Sequence, residues 1–141
     1  MPFAPFVPLR VLSSYSMLEG AIDPKDIAKL AKERGFPAIA ICDRNGLYGI
    51  MAFASACKGE GVQPIIGCQL SVDLEDGFGE KRGGNGHLPD LPAIVVLAAD
   101  EAGYERLVDL VSRAYLGGDN GAPIHVKRSW LEEAGTDGLI A

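Results

Sequence analysis

Gly35-Phe36-Pro37-Ala38-Ile39-Ala40-Ile41-Cys42-Asp43-Arg44-Asn45-Gly46 is the stretch on which the fold turns. Ala38–Cys42 is an unbroken apolar run without polar alternation, the pattern of a strand buried on both faces. Gly35, just before it, reads as the stop of a preceding helix. Asp43-Arg44-Asn45-Gly46, just after it, is polar and lies where open α/β folds place their chemistry, at the C-terminal end of a strand. Upstream, Asp23-Pro24-Lys25-Asp26 opens that helix. Asp23 suits the N-cap, Pro24 the first turn, and Asp26 the positive end of the helix dipole. Ile27, Leu30 and Ala31 then fall at i, i+3 and i+4 and form one apolar face. Further upstream, Val7–Leu12 reads as a short strand with a single charge, Arg10.

Downstream the alternation continues. A second helix is expected from about Leu47 to Lys58, stopping near Gly59. Pro64–Cys68 is a second buried run, extending to Val72. Residues 74–90 are rich in Gly, Asp and Glu, lack apolar periodicity and read as a flexible insert. Ala93–Ala98 is a third buried run. Glu101–Tyr115 reads as a helix with Leu107, Leu110, Val111 and Ala114 on one face. After the Gly117–Gly121 turn cluster, Ser129 caps a short helix through Glu133. Leu139–Ala141 reads as a strand just starting, which points to a chain cut from something longer. The order predicts an α/β fold, a mostly parallel sheet with crossover helices.

Composition narrows the classes further. The chain has 141 residues, 13 Lys+Arg against 19 Asp+Glu, a formal charge of −6 and 48% hydrophobic residues. That is one domain's worth of chain with a real core, not a disordered tail. No apolar run reaches the length of a membrane span, and the first ten residues do not form a secretory signal. The acidic balance argues against autonomous nucleic-acid binding. Cys42, Cys57 and Cys68 are odd in number and lack CxxC spacing, so buried reduced thiols in a cytoplasmic protein are expected.

Three stretches carry a resemblance. FVPLRVLSSYSMLEGAI (6–22), GFPAIAICDRNGLYGIMAF (35–53) and GVQPIIGCQLSV (61–72) recur in the order and spacing of the PHP (polymerase and histidinol phosphatase) domain. The likeness is to the PHP domain at the N-terminus of bacterial DNA polymerase III α subunits, and it resumes with VVLAADEAGYERLVDLVSRAY (95–115). The resemblance implies the first half of a distorted (β/α)7 barrel. It implies DNA replication as the setting and a longer parent chain that is a DNA-directed DNA polymerase, with Mg²⁺ in a downstream catalytic domain. It implies a scaffold that supports the polymerase core and docks the proofreading exonuclease subunit. Other polymerase III subunits are implied partners, with DNA contacted through other domains of the parent.

Active members of the family carry a metal cluster. Their ligand positions fall here on Arg10 and Leu12 (with Pro8 before them), on Asp43 and Arg44, on Gln69 and on Ala93; only Asp43 keeps a family residue. Leu12 and Ala93 offer no lone pair, the two arginines repel a cation, and Gln69 is a poor substitute for a carboxylate. The expectation is therefore a degenerate site with no metal, no catalytic residue and no cofactor in this chain. An ion pair from Arg10 or Arg44 to Asp43 is expected to take over. The alternatives are a metal-dependent phosphoesterase or 3′–5′ exonuclease, the error-prone translesion form of the polymerase, and an interaction module unrelated to replication.

Other chemistry-bearing residues read as structural. His87 and His125 are unclustered. Ser13-Ser14-Tyr15-Ser16 lacks a base at recognisable spacing and reads as turn chemistry. Backbone N–H groups of Asp43–Gly46 with Arg44 could hold an anion. Met17, Leu18, Tyr48 and Phe53 read as core or loop packing, and Trp130 as partly exposed.

Overall fold

The computed structural model describes residues 3–76, 90–118, 122–135 and 137–141. Its elements in chain order are α1 (Pro24–Glu33), β1 (Ala38–Arg44), α2 (Ile50–Glu60), β2 (Gln63–Asp73), β3 (Ala93–Ala98), α3 (Glu101–Leu116), β4 (Val126–Lys127), α4 (Arg128–Ala134) and β5 (Leu139–Ile140).

The signals for α1 act as read, but Ser129 does not cap the last helix: α4 already begins at Arg128, so Ser129 lies inside it, and the cap position is Lys127 without a side-chain bond. The Asp23 side chain accepts from the Lys25 amide at the start of α1, and Pro24 opens its first turn. Asp100 caps α3 by accepting from the Gly103 amide. α2 begins three residues later than expected and ends at Gly61, whose φ of 71° supplies the left-handed cap.

The strands form one sheet in the order β1-β2-β3-β5, with β4 pairing off this path against β2. β1 and β2 run parallel across the α2 crossover, and β2 and β4 are also parallel. β3 runs antiparallel to β2, and β5 antiparallel to β3. The α/β class thus holds, while the sheet is more mixed than expected. β3 is an antiparallel neighbour of β2, a pairing that needs no crossover helix, and no helix separates the two among the described residues.

Val7–Leu12 is not a regular strand. It lies beside β1, accepting from the Ala40 amide at Pro8 O and from the Cys42 amide at Val11 O. Pro8 has no N–H, so a full ladder cannot form there.

β1 divides two cores. Ile39 and Ile41 pack with Ile27, Phe53 and Cys57 beneath α1 and α2. Ala40 and Cys42 face the other way, toward Leu97, Ile65 and Val95. A further cluster joins Cys68, Leu70 and Val96 to Leu107, Leu110 and Val126. All three cysteines are free and buried, as expected.

Candidate functional site: the C-terminal end of β1

Alternation along a strand sends successive side chains to opposite faces. Asp43 therefore follows Ile39 and Ile41 to the helix-covered face, and Arg44 follows Ala40 and Cys42 to the other. The parallel register sets Asp43 opposite Cys68 and Arg44 opposite Gln69. The positions expected from sequence to be degenerate ligand sites are thus split between two faces.

On the covered face, Asp43 is only 2% exposed. Its Oδ1 accepts from the Ser13 amide at 2.7 Å and from Ser16 Oγ at 2.8 Å, and its Oδ2 accepts from Ser13 Oγ at 2.7 Å. Each hydroxyl also accepts a backbone bond, Ser13 Oγ from the Tyr15 amide and Ser16 Oγ from the Arg44 amide. A buried carboxylate without donors would be costly, and these three bonds satisfy it. Gly20 closes the same loop, where a Cβ would lie 1.8 Å from Ser13 O. Leu18, at its tip, has a φ of 69° and a fully exposed side chain. A left-handed leucine costs about 1–2 kcal/mol.

On the other face, Arg44 makes a two-pronged ion pair with Glu19, at 2.6 and 2.7 Å. The Arg44 bond holds the Glu19 carboxyl below its ordinary range, and the pairing raises Arg44 in turn. Arg10 Nε donates to Gln69 Oε1 at 2.9 Å. Arg10 itself is exposed. The expected ion pair from Arg10 or Arg44 to Asp43 is not formed. Arg44 is one residue away on the strand, on the opposite face, and Arg10 is engaged with Gln69. Leu12 is half-buried and Ala93 exposed, and neither brings a donor. Among the described residues, no three His, Cys, Asp or Glu side chains form a group able to hold a metal.

The turn after β1 is also occupied. The Arg44 amide goes to Ser16 Oγ and the Asn45 amide to Gln69 O. Those N–H groups are not free for the anion considered from sequence. Asn45, at φ 47°, exchanges side-chain and backbone bonds with Ser71 and donates to Ile124 O. Tyr115 donates to Asn45 O and meets the Tyr48 hydroxyl; burial pushes the Tyr115 hydroxyl upward. Burial likewise pushes the Cys42 and Cys68 thiols up to about 12 and Cys57 to about 11.

The remaining candidates separate cleanly. His125 is buried, with Nδ1 2.7 Å from Pro123 O. His87 and most of the 74–90 insert lie outside the described residues. Phe53 is core, but Met17, Leu18 and Tyr48 are exposed, which corrects the packing role expected for them. Trp130 is partly exposed beneath the Arg113 guanidinium, 4.7 Å from its ring centre.

A mixed α/β domain with polar, hydrogen-bonded strand-end turns is the class that these features define. The PHP domain matches residues 8–141, and the chain belongs to that family. It is 44% identical over 111 residues to the DNA polymerase III subunit alpha of Caulobacter vibrioides, covering 79% of this chain and 9% of that protein. It is 38% identical over 135 residues to the DNA polymerase III subunit alpha of Escherichia coli strain K12, covering 96% of this chain and 11% of that one. An error-prone DNA polymerase of Cutibacterium acnes is 36% identical over 129 residues, covering 88% and 11%. The chain thus spans about a tenth of the length of these curated relatives. An amidohydrolase from Chromobacterium violaceum, solved with sulfate and no metal, superposes with a TM-score of 0.47 at 16% identity, over 93% of this chain and 49% of that one.

Proposed function

We propose that this chain is the PHP portion of a replicative DNA polymerase of the polymerase III α type, and that it serves as a metal-free scaffold. In this reading it supports the polymerase core and docks the proofreading exonuclease subunit, in the cytoplasm, alongside other polymerase III subunits. Nucleotidyl transfer with Mg²⁺, and contact with DNA, belong to other domains of the longer parent. The names and identities of the relatives support the replicative setting. No helix among the described residues is long and apolar enough to cross a membrane.

One observation carries the scaffold half of the reading. The donor set does not suit a cation cluster: Asp43 is saturated by Ser13 and Ser16 on one face, while Arg10 and Arg44 place positive charge on the other. A metallophosphoesterase or metal-dependent 3′–5′ exonuclease needs several imidazoles and carboxylates converging on one point. A second reading, the error-prone form of the polymerase, is favoured by the likeness to the Cutibacterium acnes protein.

The test is co-elution of the full chain with the purified proofreading exonuclease, alongside an assay of phosphoester hydrolysis with added Mn²⁺. Stable co-elution and no Mn²⁺-stimulated hydrolysis are expected. Hydrolysis that Mn²⁺ stimulates, or failure to bind the exonuclease, would overturn the reading.

A further inference from the structure

We infer that Asp43 is a loop clasp rather than a cation ligand: its carboxylate closes Ser13–Gly20 onto the end of β1 by hydrogen bonds alone. This rests on the scaffold reading above and adds what the buried carboxylate does instead.

The direction of the bonds is the first argument. The Tyr15 and Arg44 amides can only donate, and they donate to Ser13 Oγ and Ser16 Oγ. Each hydroxyl has one proton, and it goes to Asp43. Both chains therefore run from backbone amide through hydroxyl to the carboxyl oxygens of Asp43, which act as acceptors for both. A cation on the carboxylate would compete for the same oxygens.

Placement is the second. Asp43 lies on the helix-covered face with Ile39 and Ile41, away from Arg44 and from Gln69, which bonds Arg10. The polar groups left at the other degenerate positions do not share its face.

The third is what the clasp closes. Ser13 and Ile22 form an isolated bridge, Ser14 donates to Ile22 O, and Gly20 donates to Ser16 O. Gly20 has no room for a Cβ against Ser13 O. The loop is thus pinned at both ends, with the left-handed Leu18 displayed between them. Asp43 is a positioning residue for that display.

Amide hydrogen exchange of the full chain in EDTA, resolved by NMR, tests the clasp. The Ser13 and Arg44 amides report on it directly, and amides of the β1–β2 ladder serve as the control. Ser16→Ala and Asp43→Asn are each expected to speed exchange at Ser13 and Arg44 by about tenfold or more. Ser16→Thr, which keeps the hydroxyl, is expected to restore protection. With the EDTA removed, equimolar Mn²⁺ is expected to leave the Ser13 signal intact. Unchanged exchange in both variants would overturn the clasp while leaving the scaffold reading standing. Bleaching of the Ser13 signal by Mn²⁺ in the natural chain, abolished by Asp43→Asn, would overturn both. Loss of exonuclease docking with protection intact would overturn only the scaffold reading. If Asp43→Asn does not fold, the Ser16 pair still decides.

Discussion

On the helix-covered face of β1 a single carboxylate is almost wholly buried and is satisfied by neutral donors, whereas on the opposite face two arginines meet their partners near solvent. The site residues expected from sequence are divided between the two faces, and the energetics differ. A buried acceptor stripped of its donors forfeits most of its stabilisation, because nothing replaces them. An exposed ion pair exchanges protein contacts for water at little cost. The covered face therefore fixes the loop, and the exposed ion pair of the other face tolerates change.

Alkaline pH should produce the largest effect, and it tests whether both faces are equally sealed. Cys42 lies on the open face and Cys68 opposite Asp43, yet burial pushes both up to about 12. In the unfolded chain these thiols ionise near their ordinary 9.0, so the folded chain retains protons that the unfolded one releases. The stabilisation is complete below the unfolded value and disappears as pH rises from 9.0 toward 12. A steep fall in Tm across that window is expected. A Tm unchanged through it would mean that the thiols are not buried as described.

Asp43→Ala comes next. It strands the Ser13 amide and two hydroxyls in the interior. A loss of roughly 3 kcal/mol is expected, read as a lowered urea midpoint with unchanged slope. A loss no greater than that from Arg44→Ala would erase the distinction between the two faces.

Gly67→Ala probes the packing beneath the open face. A Cβ there would lie 2.6 Å from Leu97 Cδ2, 2.7 Å from Cys42 Sγ and 2.9 Å from Val96 O. The neighbours include backbone, so roughly 1–3 kcal/mol should be lost. A neutral result would show that this layer is loosely packed.

Arg44→Ala and Glu19→Ala should have the smallest effects, within about 2 °C in Tm and smaller still at high salt. A larger, salt-insensitive drop would mean that the pair is structurally essential.

Much of this was legible in sequence. Asp23-Pro24 fixed the start of α1, and the apolar runs at 38–42, 64–68 and 93–98 all fall in strands. Direction was not legible in β3, because a run buried on both faces looks the same whichever way it runs. Nor was the irregularity of Val7–Leu12, although Pro8 carried the signal by lacking a donor. At the site, the polar turn after β1 was recognised but its wiring was not. Arg44 looked like a partner for Asp43, yet the two-residue period of a strand places neighbours on opposite faces. The better signal is the pair Ser13 and Ser16, hydroxyls three residues apart whose type and spacing also fit simple turn chemistry. Asking what satisfies a buried Asp43 would have pointed to them.

Metal content measures the central claim most directly: the full chain, loaded with Mn²⁺ or Zn²⁺, passed through a desalting column and analysed by mass spectrometry. The clasp and the two arginines predict substoichiometric metal, unchanged in Asp43→Asn. Two or three tightly held ions per chain, reduced by that substitution, would mean that these positions still build the cation site of the family.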